Sequence, residues 1–407
     1  MANTAVRSFG TYMRTLRERA GLSRPDACRL FGETPESIDR GSLWRLENGE
    51  HGMSIGKIGT LGRIYGVSMD VLFERWELDR QFERLSIDAD PAPTFEQAVE
   101  AGREALAGMG TYWQAYGHFR DALEAAETEE DLLATRLNLA TAMRSLGKNR
   151  LALHELQRME PEARDSALYP IVLDRIANCR RCLGHLSAAE ETLAAAREIA
   201  EVGNDMRVQG VIYSSEANLA IDRGDASAAV EHLKRAIRVG RDPKSANGAL
   251  RPSPGFEGAM LNMLADTHLT LGRYEVATRA AWSAGKIGRR YDLPTCIAYS
   301  ELMLGRLEER AGRATQAARH WREVDAIARA IGHLKLRFAA GFYSYRQSVR
   351  NGETSRAELA GRRLQLLRAG VADHFPLLRQ YRDLQSEATT RRRRGLDKRP
   401  STPEPGI

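Results

Sequence analysis

The sequence predicts an all-α chain: a bundle of short helices at the N-terminus, followed by an α-solenoid of about seven helical hairpins. Three observations carry that reading. Helix caps and apolar residues at helical spacing recur through residues 1–77. A glycine-centred pattern then repeats at intervals of 37 to 48 residues. Between the two regions, Asp88-Ala-Asp-Pro-Ala-Pro93 reads as a linker. The expected layout is a head over 1–77, a linker over 78–93, an array over 94–388, and a basic, disordered tail over 389–407.

The head divides at its caps. Ser8 opens a first helix in which Phe9, Tyr12, Met13 and Leu16 form the apolar side, and Gly21 ends it as a left-handed C-cap. Ser23, with Pro25 in the first turn and Asp26 at N3, starts a second helix that runs to Phe31 and stops at Gly32. After the polar stretch Glu33–Gly41 comes a compact third helix, Ser42-Leu-Trp-Arg-Leu-Glu-Asn-Gly49, with Leu43 and Leu46 on its inner side. Ile55, Ile58, Leu61, Ile64 and Tyr65 define a fourth helix ending at Gly66, and Ser68 caps a fifth.

Leu16-Arg17 with Gly21-Leu22-Ser23, the closing Leu46-Glu47-Asn48-Gly49, and Gly66-Val-Ser-Met-Asp-Val-Leu72 resemble the XRE-type, lambda-repressor-like helix-turn-helix domains. Two features depart from that pattern: Arg24 stands where a Gln is usual, and the turn before helix 3 is longer. The resemblance implies that helix 3 enters the major groove of double-stranded DNA while the start of helix 2 grips phosphate. On that basis Arg40, Ser42, Trp44 and Arg45 are the expected groove contacts, and Arg24 and Asn48 the expected phosphate contacts. Glu47 matches the family's structural glutamate. A solvated helix face is the plain alternative for each arginine. The head holds eleven Arg/Lys and ten Asp/Glu, so its non-specific attraction to DNA should be modest and dimerisation required.

The repeating kernel is a Gly, an Ala five residues on, a bulky residue four later, and an apolar residue three beyond that. Its glycines are Gly110, Gly147, Gly184, Gly224, Gly272, Gly312 and, in a weaker copy, Gly352. The Gly turns the chain, the Ala lets two helices close on each other, and the bulky residue fills the groove between neighbouring pairs. This pattern resembles the tetratricopeptide repeat. The stretch Arg241–Gly255, with three prolines, should be a surface loop, and a helix around Asp373–Gln385 should cap the stack. The resemblance places the first helix of each pair on a concave wall. Counting back from each Gly, the inward residues are Asp174, Arg175, Asn178, Arg181, Ser214, Asn218, Asn262, Asp266, Arg306, Tyr343 and Arg346. As a set they suit a peptide or an acidic ligand, although each alone could be a wetted polar position.

Composition narrows the function. The formal charge of +6 points mildly to an anionic partner, and the tail over 389–407 contributes +4 of it. That tail could touch nucleic acid or be a solvated end. No apolar leader or membrane-length stretch occurs, so the expected compartment is the cytoplasm. Cys28 and Cys296 stand alone, and Cys179 with Cys182 forms one CxxC without a second ligand pair, so packing is expected over zinc or redox work. Nine scattered histidines and the lack of a Walker loop, HExxH or GxSxG motif argue against an enzyme, a cofactor or a metal site.

A helix-turn-helix domain ahead of tetratricopeptide-like repeats resembles the RRNPP regulators. That resemblance implies a transcriptional regulator whose array senses a short peptide or a partner protein and mediates homodimerisation. The competing reading is a repeat scaffold whose N-terminal domain serves assembly.

Overall fold

The computed structural model describes residues 8–34, 37–50, 54–85, 94–106, 111–241, 254–368 and 376–393. Among them are twenty α-helices and no strand. The chain divides into two compact units, Met1–Arg273 and Tyr274–Ile407.

The first unit begins with the five-helix head: α1 (Phe9–Arg19), α2 (Arg24–Gly32), α3 (Arg40–Glu47), α4 (Ile55–Ile64) and α5 (Met69–Arg84). Ser8, Ser23, Ser54 and Ser68 cap α1, α2, α4 and α5 through their hydroxyls, and Ser23 forms a full capping box with Asp26. Helix α3 starts two residues before the expected Ser42, because the Asp39 carboxylate accepts from the Ser42 amide at 2.8 Å and so captures the helix start. Gly10 lies against the end of α3: a Cβ there would stand 2.3 Å from the Leu46 carbonyl oxygen, so only glycine permits this approach.

Residues 78–84, read as linker from sequence, are the last two turns of α5 instead. Leu78 is fully buried in the core and Asp79 pairs with Arg75 one turn earlier in α5, so core packing and an intrahelical ion pair continue the helix past Glu77.

The array in this unit is α6 (Phe95–Glu104) and α7 (Tyr112–Ala125), α8 (Glu129–Ser145) and α9 (Asn149–Ala163), α10 (Tyr169–Cys182) and α11 (Leu186–Val202), α12 (Met206–Asp222) and α13 (Ala226–Arg241), then α14 (Pro254–Thr270). One hydrophobic core runs from Tyr12, Met13 and Leu72 in the head through Phe119 and Leu156 to Cys179 in α10. Polar contacts reinforce the seam between α5 and α9. The Leu151 amide donates to Glu74 at 2.9 Å, Lys148 pairs with Glu77, and Tyr12 Oη donates to Glu155 at 3.0 Å. The head is thus built into the first repeats.

The second unit holds α15 (Tyr274–Arg290), α16 (Pro294–Arg310), α17 (Ala314–Ala330), α18 (Leu334–Arg350), α19 (Thr354–Arg368) and the closing α20 (Pro376–Arg393). The kernel works as its chemistry requires. Gly147, Gly184, Gly224, Gly272, Gly312 and Gly352 all have positive φ, between 71° and 85°. The alanines that follow, from Ala115 through Ala317, are fully buried. The expected turn at Gly110 and most of the Arg241–Gly255 loop lie outside the described residues, as does the tail beyond Arg393; residues 389–393, assigned to the tail, belong to α20.

His333 makes this unit acid-sensitive. It caps α18, its Nδ1 accepting from the Leu336 amide at 3.3 Å, and burial holds its pKa down at about 4. The unfolded chain takes up this proton near pH 6.5, the folded chain only near 4. Stability is therefore full above pH 6.5 and falls on acidification, by up to about 1.4 kcal/mol per pH unit. His333→Asn keeps a capping acceptor without the titration. Melting curves of the full chain at pH 7.5, 6 and 5 should show a shallower loss in the variant; equal slopes would contradict this.

Candidate nucleic-acid interface and polar array face

Helix α3 presents two sides. Leu43, Leu46 and Glu47 face inward, while Arg40, Trp44 and Arg45 are exposed, Trp44 at 44%. An exposed indole between two cations, with no core role, is the feature a groove-reading helix would display. Ser42 is partly occupied: its hydroxyl donates to Asp39 Oδ2 at 2.8 Å and accepts from Arg45 Nη2 at 3.4 Å.

The surface beside α3 is organised by Glu47, which is 1% exposed. Arg17 Nε donates to its Oε1 at 2.6 Å and Arg24 Nε to its Oε2 at 2.8 Å, with Arg14 Nε 3.7 Å away. Arg14 also donates to the Asn48 side-chain oxygen. Arg24, expected at phosphate through the helix start, is thus tethered to Glu47 while remaining one-third exposed. One buried carboxylate among three guanidiniums leaves this lobe net positive. Sequence reasoning missed Arg14, because its partners lie more than thirty residues away and no local spacing marks it.

The expected inward residues of the array are less open than expected. Asp174 is fully buried and paired with Arg175. Asn178 is buried, its amide donating to the Asp174 carbonyl at 2.9 Å and to Ser215 Oγ at 2.8 Å, which ties α10 to α12. Arg181 pairs with Asp222, Asn218 donates to the Ser214 carbonyl, Asn262 is buried and Asp266 is half-buried. The physical reason is close approach of successive first helices, so these polar side chains meet each other before they meet solvent. In the second unit, Tyr343 is buried and stacks on Trp321 with ring centroids 5.7 Å apart. Arg306 and Arg346 lie over the Tyr343 ring at 5.7 and 4.8 Å, and Arg346 pairs with Glu309. Ser215 and Glu309 join these networks without having been singled out in the sequence, and Trp321, the bulky residue of its repeat, fills the place beside Tyr343.

Cys179 is buried in the core and its thiol is pushed up to about 12 by burial, which fits packing. Among the described residues, no group of His, Cys, Asp or Glu is placed to hold a metal ion, and no helix is long and apolar enough to cross a membrane.

Residues 8–76 match the family described as "Helix-turn-helix domain". No curated protein matches the chain by sequence. Among solved structures, a Rap protein complexed with competence and sporulation factor is similar at 11% identity and TM-score 0.55, covering 90% of this chain and 99% of its own. A signal-transduction ATPase with numerous domains and a tetratricopeptide repeat sensor, from Pyrococcus horikoshii, is similar at 14% identity and TM-score 0.51, over 91% of this chain. This chain spans only 60% of that ATPase's length. PlcR of Bacillus thuringiensis, in complex with the peptide PapR7 and DNA, is similar at 12% identity, covering 80% of this chain and 96% of its own, with a TM-score of 0.36. The matched model gives this chain a helix-turn-helix domain at residues 8–76, and the likeness to the Rap structure shows that the rest shares an all-α, tetratricopeptide-like repeat fold.

Proposed function

We propose that this protein is a sequence-specific transcriptional regulator of the XRE type, working as a homodimer, that reads double-stranded DNA with α3 and responds to a peptide or protein partner through its array. The observation that carries the reading is the exposed Arg40, Trp44 and Arg45 face of α3, on a head whose core continues into the first repeats. A head joined in this way cannot shift without disturbing α9, so a ligand that alters the array has a physical route to the DNA-reading helix. Arg24, Arg14 and Asn48 sit beside α3 as backbone contacts, and Ser42 is a secondary groove contact. Half-sites one helical turn apart would need two heads, which is the reason for the dimer. The five-helix head through Arg84, the array through α20 and the basic end of the chain serve as head, sensor and extension, and the protein acts in the cytoplasm.

Selection of bound fragments from a genomic library tests this. Wild type is expected to enrich a palindromic site, and Arg40→Ala/Arg45→Ala, folded by circular dichroism, to lose that enrichment. Equal, unselective recovery by both proteins would instead favour a scaffold in which the head serves assembly.

A further inference from the structure

The second unit carries a strong charge excess that the DNA-reading head does not share. Residues 274–407 contain 26 Lys/Arg against 14 Asp/Glu, a net of +12, while residues 1–273 are net −6. Without the tail over 389–407 the excess is still +8. Helix α15 concentrates it. Its inner side is all small residues, Ala277, Ala280, Ala281, Ala284, Gly285 and Gly288. Its outer side is Arg279, Trp282, Lys286, Arg289 and Arg290, with Glu275 the helix's only acid.

Trp282 is 55% exposed, and Arg279 and Lys286 flank it at i−3 and i+4, the positions that share a helix surface with it. Among the described residues, neither cation has an ion-pair partner. Beneath the indole opens a cleft of about 170 Å³ walled by Tyr274, Leu304, Leu307 and Arg310. Arg310 also lacks an ion pair among the described residues, whereas Arg313 on the rim is held by both oxygens of Glu308, so that acid is already neutralised. His320, on the cleft wall, is held by buried Glu301, whose Oε2 lies 2.6 Å from Nδ1 and whose Oε1 pairs with Arg289. A mixed polar and apolar cleft bordered by an exposed tryptophan and Arg310, with Arg279 and Lys286 exposed along the same helix, is complementary to a ligand that is both acidic and apolar.

We infer that this face of α15 and the α16–α17 turn is a docking surface for an acidic peptide segment of a partner protein, one apolar side chain filling the cleft and carboxylates meeting Arg279, Lys286 and Arg310. Duplex DNA fits less well, because its phosphates would satisfy the cations and leave the cleft empty. None of its residues belongs to α3 or to the inward positions read from the first helices of the array.

A random 12-residue peptide display library selected on the full chain tests it. The expected consensus has acidic residues on either side of a single apolar one. Binding of the selected peptide should weaken at least about tenfold in Trp282→Ala and again in Arg279→Glu/Lys286→Glu, all exposed positions that leave the fold intact. Arg40→Ala/Arg45→Ala should bind it as wild type does, so failure here is separate from failure of DNA reading. Selection of no acidic consensus, equal binding by the Trp282→Ala protein, or full competition by a random-sequence duplex would each overturn the inference.

Discussion

Glu47→Ala is expected to destabilise the head by about 3–5 kcal/mol, the cost of leaving a buried charge without its partner. Arg17 is 5% exposed and directs two nitrogens at this carboxylate, Nε at 2.6 Å and Nη2 at 3.2 Å. Arg24 adds a third hydrogen bond at 2.8 Å. Removing the carboxylate leaves the buried Arg17 guanidinium with only the Leu22 carbonyl and the exposed Glu18 as partners, and leaves three cations to repel one another. Urea titration, followed through amide exchange of α1 and α3, measures the loss. Glu47→Gln should fall between wild type and alanine, since it keeps acceptor geometry without charge. An Arg17→Leu/Glu47→Leu double variant should recover much of the loss, because replacing both partners removes the unpaired charge. A loss under about 1 kcal/mol for Glu47→Ala would mean that the cluster is no better than a surface pair.

Asp79→Ala should cost a similar amount, about 3–5 kcal/mol, at a different place and with a different consequence. Arg75 and Asp79 are both almost fully buried one turn apart on α5, with Nε to Oδ2 at 2.8 Å. The Arg75 guanidinium also lies 5.0 Å from the Tyr12 ring centroid, and Tyr12 in turn donates to Glu155 of α9. Loss of Asp79 therefore leaves a buried cation at the joint between head and array. Exchange protection is expected to fall in α5 and along the α9 seam while α11 to α13 keep theirs. Protection lost only at the end of α5 would show that the pair caps a helix and couples nothing.

The kernel alanines explain why the array was legible in the sequence. Ala115, Ala152, Ala189, Ala229, Ala277 and Ala317 hold one steric role in six of the seven copies, so one periodic signal reports most of the hairpins. The serine caps were legible for a similar reason: a cap is decided by residues three apart. The α5 extension was not legible, because Leu78 is held by core packing against other helices while its own stretch, Glu77–Arg84, reads as polar. The array face was only half legible. Counting back from each glycine found the right helices, but which polar residues are exposed depends on how closely neighbouring helices pack, and Asn178 reaching Ser215 has no mark in the local sequence. On α3 the buried and exposed sides followed from Leu43 and Leu46 alone, whereas the tether from Arg24 to Glu47 joins residues 23 apart in sequence.

The central claim is that α3 reads DNA sequence through its exposed arginines, and the affinity of Arg45→Ala for a selected site and for a random duplex, at one fixed salt concentration, tests it most directly. The expected result is a loss of about 1–3 kcal/mol on the selected site with little change on the random duplex, a collapse of the specificity ratio. An equal loss on both duplexes would make Arg45 a backbone contact, and no loss on either would contradict groove reading by this helix.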